Sequence, residues 1–391
     1  MKLPNSIKIA LDIFEKNGYE AYVVGGAVRD YLLGIKVSDY DLATNAKPEV
    51  IISLFKKYNM HTKGLKHGTV TVFINGEQIE ITTFRIEDKY IDHRRPKTVK
   101  FINNLYEDLA RRDFTINAFA YNKKLYDYFN GREDLQNRLI RCVGDSEARF
   151  SEDALRIIRA LRFSAQLNFT IEENTRQAIF THKDLLNHIS SERITIELDK
   201  ILNSNIENVL IPYFDVFKVI IPELEINQTK ENLQIIKKLP KKKELLIAGL
   251  LYKVKDSQTI LLRLKYSNKI IKNVLTILEN ANIKIKKDKI NIKKILLDID
   301  LNDFENIYTF QKAKGLKLNI DTELKEALDE DYRVEHLDIK GSDLIAFGVP
   351  KNEQIGIILR KLIIKVIEGK LSNNKEVLLN YVNKVLNDQK S

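Results

Sequence analysis

The chain has 391 residues, 44% of them hydrophobic, which suits two to four packed units and excludes a disordered chain. Its only cysteine, Cys142, rules out an intrachain disulfide and a cysteine-built zinc site, and reads as a small core residue. A formal net charge of +10 points to a polyanionic partner, nucleic acid first; coding bias is the alternative source of the Lys, Ile and Asn crowded into "KKLPKKKELL" and "ANIKIKKDKINIKKI".

The N-terminal stretch carries acidic residues and lacks an uninterrupted apolar core, so it does not read as a signal peptide. No apolar run approaches a membrane span, and a reducing, cytoplasmic location is expected. "SIKIALDIFEKNGYE" has helical apolar spacing and stops near Gly18. "AYVVGG" reads as a strand, "AVRDYLLG" as a short helix, "DYDLAT" as a second strand and "PEVIISLFKKY" as a helix. "GTVTVFINGEQIEITTFR" reads as a hairpin turning at "NGE", and "RLIRCVG" as a last short strand. Residues 1–140 thus form an α/β unit with a small sheet. From Ser151 onward the chain is mostly helical, beginning with "SEDALRIIRALRFSAQL", for which Ser151 is the expected N-cap. Gly341, Gly348 and Pro350 interrupt the helices before a final helical segment, "GIILRKLIIKVIEGKL".

Asp39 and Asp41 stand at i and i+2, a spacing that on a strand puts both carboxylates on one face. Two carboxylates so placed can hold two divalent ions astride a phosphoryl group, and oxygen-only ligands suit Mg²⁺. Glu80, between Ile79 and Ile81, is the candidate third carboxylate, although taken alone it better fits a half-exposed strand. Gly25 and Gly26 end a strand and open a helix, where backbone N–H groups can receive phosphate oxygens, and Arg29 one turn in can add a charge-assisted bond. Neither a P-loop nor a dinucleotide-binding glycine pattern is present.

These residues together resemble the nucleotidyltransferase superfamily of polymerase-β-like enzymes. "GGAVRD…DYDLAT", "RRDFTINA", "EDALR" and "SERITIEL", in that order, resemble the class II tRNA nucleotidyltransferases and the related bacterial poly(A) polymerases. The resemblance covers roughly the first half of the chain. It implies a catalytic head over 1–140, a base-recognising neck over 141–205, a helical body over 206–320 and a tRNA-binding tail over 321–391. It also implies that Asp39 and Asp41 bind Mg²⁺ with Glu80 assisting. Arg111 and Arg112 would meet the triphosphate, while Asp113 and Asn117 position the sugar or the motif itself.

Asp153, Arg156, Arg159 and Arg162 recur every three residues, beside a core-facing row of Leu155, Ile158 and Leu161. A carboxylate accepts hydrogen bonds and a guanidinium donates them in a fixed fork. Such a pair can serve cytosine and adenine alike, and leaves polar groups unpaired against uracil and guanine. In the family the positions matching Asp153 and Arg156 have this role, and those matching Arg159 and Arg162 also contact nucleotide. "RIEDKYIDHRRPKTVKF" looks like the loop of enzymes that add the terminal A. The resemblance therefore implies CCA addition to tRNA from CTP and ATP. The alternatives are an A-adding-only enzyme, a poly(A) polymerase, or a non-catalytic RNA-binding protein on the same scaffold.

Overall fold

Residues 1–87, 90–91, 95–96, 99–330 and 332–388 are described by a computed structural model. They divide into two compact units, Met1–Lys230 with Val254–Tyr266, and Glu231–Lys253 with Ser267–Ser391. The first holds the sheet, and the second is helical.

In the first unit, α1 (Asn5–Lys16) buries Ile7, Ala10, Leu11 and Phe14, a stripe at helical spacing. It ends before Gly18, whose φ of 77° reverses the chain. Strand β1 (Ala21–Val24) leads through Gly25 into α2 (Gly26–Leu32), and β2 (Tyr40–Thr44) into α3 (Pro48–Leu54). The edge strand β3 (Asn59–His61) precedes a hairpin of β4 (Thr69–Ile74) and β5 (Glu77–Thr83). Strict in–out alternation in β4 marks a strand with one face in the core. Its turn places Asn75 and Gly76 at φ 53° and 81°, the two positive values a tight primed turn requires.

The stretch 85–101, where the sequence suggests an A-addition loop, contains β6 (Arg85–Glu87), β7 (Tyr90–Ile91), β8 (Arg95–Pro96) and β9 (Val99–Phe101). β6 pairs with β9 and β7 with β8, both antiparallel. Residues 88–89, 92–94 and 97–98 of that loop lie outside the described residues.

Helix α4 (Leu105–Ala110) is followed by a hairpin the periodicity does not reveal, β10 (Phe119–Asn122) with β11 (Lys124–Asp127). It completes a seven-stranded mixed sheet in the order β11-β10-β1-β2-β5-β4-β3. Only β2 and β5 pair in parallel within it.

After α5 (Gly131–Asn137), β12 (Leu139–Ile140) forms as expected but does not join that sheet. It pairs in parallel with a later strand, β13 (Thr170–Ile171). Cys142 next to it is buried, is bridged to Phe114, and donates its N–H to Thr175 Oγ1 at 3.2 Å. Burial pushes its thiol up to about 12.

The expected helix from Ser151 is two helices. α6 (Ser146–Glu152) is capped by Asp145, and Ser151 lies inside it rather than at an N-cap. Asp153 breaks the run in an extended conformation, and its Oδ1 accepts the Leu155 N–H at 3.1 Å at the start of α7 (Leu155–Leu167). A short acidic side chain that captures a backbone donor competes with helix continuation. Leu155, Ile158 and Leu161 face the core as their spacing predicts. α8 (Glu173–His182) packs on α6, and α9 (Ser191–Leu202) is laid along α7.

The second unit is built on buried Ile292, Phe304, Leu344, Leu362 and Leu378. The helix Gln354–Ile367 follows the Gly348–Pro350 break, and one more, Lys375–Asp388, comes after it.

Candidate active site

The parallel pairing of β2 with β5 sets Asp41 directly opposite Glu80. Adjacent parallel strands present registered residues on the same face, about 4.8 Å apart. Ile79 and Ile81 are buried on the other face, which leaves Glu80 exposed on the face of Asp41. Asp41 is reachable from solvent, yet protein surrounds it closely. Desolvation, followed by the like charge of Glu80, pushes it up to about 6 against the pull of Arg112. Asp39 precedes β2, beyond the strand geometry its spacing suggests, and Ser38 Oγ donates to its Oδ2 at 2.9 Å.

Asp41 and Glu80 open into a cleft of about 620 Å³ within the first unit. Of the residues singled out in the sequence, Gly25, Gly26, Arg29, Asp41, Glu80, Arg111, Arg112, Asp113, Asn117, Asp153, Arg156, Arg159 and Arg162 line it; Asp39 does not. Gly25 adopts φ 69°, a conformation that favours glycine, and a Cβ there would stand 3.0 Å from Arg112 Nη1. Its N–H donates to the Phe119 carbonyl at 3.1 Å, so Gly25 serves the turn by conformation rather than as a phosphate donor.

The arginines are held by carboxylates. Asp108, fully buried on α4, accepts from Arg111 Nε and Nη2 at 3.0 and 2.7 Å and pairs with Arg112 at 3.5 Å. Asp113 accepts from Arg159 Nε and Nη2 at 2.9 and 2.5 Å, and from Asn117 Nδ2 at 3.2 Å. Burial alone would raise Asp113; the Arg159 guanidinium overrides it and holds the carboxyl at about 2. Asn117 relays the order onward, its Oδ1 accepting from Arg29 Nη1 at 2.6 Å. These bonds tie the glycine turn, the "RRDFTINA" segment and α7 together.

Asp153 lies two residues before α7, so it does not stand in one helical row with the arginines that follow. Its carboxylate is paired with Arg193 of α9 at 2.7 Å. Arg156 donates to Glu152 Oε2 at 2.6 Å and to the Arg149 and Arg111 carbonyls at 3.0 Å each. Arg162 is paired with Glu197 at 2.9 Å. Glu152, Arg193 and Glu197 are supporting residues whose roles sequence reasoning did not assign, although all sit inside the quoted motifs "EDALR" and "SERITIEL". Asp108 and the cleft-lining Phe163 carry no motif signal at all.

The carboxylates of Asp41 and Glu80, with Asp39 near by, fit a divalent cation. The donors are all oxygen, and their mutual repulsion is what a dication would relieve. Among the described residues no three His, Cys, Asp or Glu side chains form a ready-made metal cage. Mg²⁺ held by one or two carboxylates plus substrate phosphates does not require one.

In-register carboxylates facing a cleft lined by arginines, on a sheet that ends in a glycine turn, define a nucleotidyltransferase head. Residues 21–141 match the family model described as "Poly A polymerase head domain", 168–226 the one described as "Probable RNA and SrmB- binding site of polymerase A", and 238–382 the one described as "tRNA nucleotidyltransferase domain 2 putative". The CCA-adding enzyme of Staphylococcus aureus (strain Mu3 / ATCC 700698) is 37% identical over 95% of this chain and 96% of its own. That of Streptococcus mutans is also 37% identical, over 98% of both chains. The Bacillus stearothermophilus CCA-adding enzyme, solved in complex with CTP, superposes with a TM-score of 0.81 at 29% identity over 99% of both chains. The chain belongs to the family of CCA-adding enzymes. Among the described residues no helix is long and apolar enough to cross a membrane.

Proposed function

We propose that this chain adds CCA to the 3′ end of tRNA without a template, from CTP and ATP, in the cytoplasm. The observation that carries the reading is a single cleft lined by Asp41 and Glu80 together with Asp153, Arg156, Arg159 and Arg162. Chemistry and base choice thereby share one chamber. The division into head, neck, body and tail at residues 140, 205 and 320 belongs to the same proposal.

Asp39, Asp41 and Glu80 would hold Mg²⁺, which when bound lowers the pKa of the RNA 3′ hydroxyl and offsets charge on pyrophosphate. Arg29, Arg111 and Arg112 receive the triphosphate. Asp108, Asp30 and Asn117 fix their guanidinium groups in advance, so little reorganisation is needed as negative charge develops. Asp113 acts one step back by holding Arg159 and Asn117.

Asp153 is held by Arg193 and offers its carboxylate oxygens to the exocyclic amine of cytosine or adenine. Arg156 is anchored by Glu152 and two carbonyls, and must exchange some of these contacts for the base when nucleotide binds. Uracil and guanine would set an oxygen against the Asp153 carboxylate and be refused by the unpaired groups they leave. The surplus of lysines and arginines over acids suits phosphate contacts along a folded RNA, which give affinity without base readout.

The test is incubation with tRNA ending at the discriminator base, with CTP and ATP supplied separately and together. Two C residues from CTP, followed by one A when ATP is added, is the expected product. Long tails from ATP alone on any RNA would sink the proposal, and so would addition of A only to tRNA already ending in CC.

A further inference from the structure

Phe163 belongs to α7 and lines the cleft, but none of the chemistry above uses it. Three guanidinium groups gather on its ring. The Cζ atoms of Arg162, Arg29 and Arg159 lie 3.9, 5.1 and 5.4 Å from the ring centroid. All are inside the roughly 6 Å reach of a cation–π contact, which strengthens when the pair is desolvated. Phe163 is 5% exposed, and Phe114 packs edge-on against it at 5.8 Å, 79° between the planes.

Three like charges on one ring repel each other. Burial and the neighbouring Arg159 together push Arg162 down to about 10. Hydrogen bonds settle the directions of two of the three and leave Arg162 unsettled. Arg159 has Asp113, and Arg29 has Asp30 and Asn117. Arg162 has Glu197 at 2.9 Å, but its Nε and the Glu197 Oε2 are buried and form no aligned hydrogen bond. A Coulomb attraction without alignment fixes distance more than direction. The negative face of the ring supplies the missing direction.

We propose that Phe163 is a positioning residue whose aromatic face holds Arg29, Arg159 and Arg162 as one preformed fan for the incoming nucleoside triphosphate. The proposal rests on the reading of this cleft as the nucleotide site. The ring touches arginines from both α2 and α7, so it couples the glycine turn to the base-recognising helix. An aliphatic side chain of similar volume fills the space but carries no quadrupole. Phe163 therefore acts on nucleotide affinity through the arginines and takes no part in the chemistry.

The experiment replaces Phe163 by its mono-, di- and trifluorinated analogues in the full chain. Each fluorine weakens the negative face of the ring and barely changes its shape. The dissociation constant for ATP, read by calorimetry, should rise with each fluorine and reach about tenfold at the trifluoro ring. The melting temperature should stay nearly constant, and Phe163→Tyr should bind as the parent does. A dissociation constant that is flat across the mono- and difluoro proteins overturns the proposal, even if the trifluoro protein fails to fold. CCA addition by the parent protein is scored separately. Its absence alongside fluorine-dependent ATP binding would refute the functional reading and leave the fan standing.

Discussion

Asp113 and Asp298 each hold an arginine, but in different surroundings. Asp113 is 8% exposed and grips Arg159 beside the cleft, whereas Asp298 and Arg360 meet in the helical unit with about half of each side chain in water. The contact distances are alike, 2.5 Å in both. What differs is what happens when one partner is removed. In the cleft a stranded charge has lost its water and keeps only its neighbours; on the helical surface water replaces the partner at once. The basic composition therefore means two things in one chain. Arg111 and Arg159 in the cleft are oriented by the buried carboxylates of Asp108 and Asp113, while many lysines of the second unit remain solvated and adaptable.

The sharpest break in this comparison is at Asp41, whose carboxyl burial and Glu80 push up against the pull of Arg112. Asp41→Ala should lower CTP incorporation by at least about 10³-fold while binding of tRNA changes less than about threefold. Turnover at the parental level would remove Asp41 from the metal assignment.

Next comes Asp113→Ala, which takes from Arg159 its hydrogen-bonded carboxylate, leaves it only Glu197 at 3.9 Å, and frees Asn117. A loss of about 3 kcal/mol in urea unfolding is expected, toward the low end for a buried pair because Arg159 is about one-third exposed. The sign with pH follows from the carboxyl being held at about 2. Its stabilisation is present above the unfolded value near 4 and is lost as pH falls from about 4 toward 2. In Asp113→Ala that part of the acid transition should disappear. A stability change below about 0.5 kcal/mol would put Asp113 in the same class as Asp298.

A smaller effect tests Asp41 from the other side. Since its carboxyl titrates near 6, a proton competes with the cation below that pH. Mg²⁺ affinity, followed by calorimetry, should fall by up to about tenfold per pH unit below 6 and be level above it. Affinity that does not change between pH 5 and 7 would contradict the raised value. The least effect belongs to Arg360→Ala, expected to change stability by less than about 0.5 kcal/mol. A loss of 2 kcal/mol or more would erase the contrast on which these expectations rest.

Much of this was legible because local chemistry carried it. Alternation in "TVTVFI" and the Asn75–Gly76 turn announce β4 and β5, and the Ile–Glu–Ile run already turns Glu80 outward. Glu80 can be nominated from its place in the strand and is strengthened by the resemblance, but its register opposite Asp41 leaves no local trace, because the pairing spans 39 residues. The β10–β11 hairpin stayed hidden for a related reason. Its turn uses Lys123 at φ 60°, where a reader looks for glycine. Helical periodicity runs straight through Asp153, so the break there was invisible, and with it the departure of Asp153 from the arginine row. The supporting pairs Asp153–Arg193 and Arg162–Glu197 join residues 40 and 35 positions apart, which no spacing rule on one helix can reach.

Cys142, buried beside Phe114 with its thiol pushed up to about 12, holds almost no thiolate at neutral pH. Thiol reagents will pass it by in the folded protein. A second cysteine placed on any exposed position would react by itself, so fluorophores or spin labels can report on nucleotide and RNA binding with the native residue left in place.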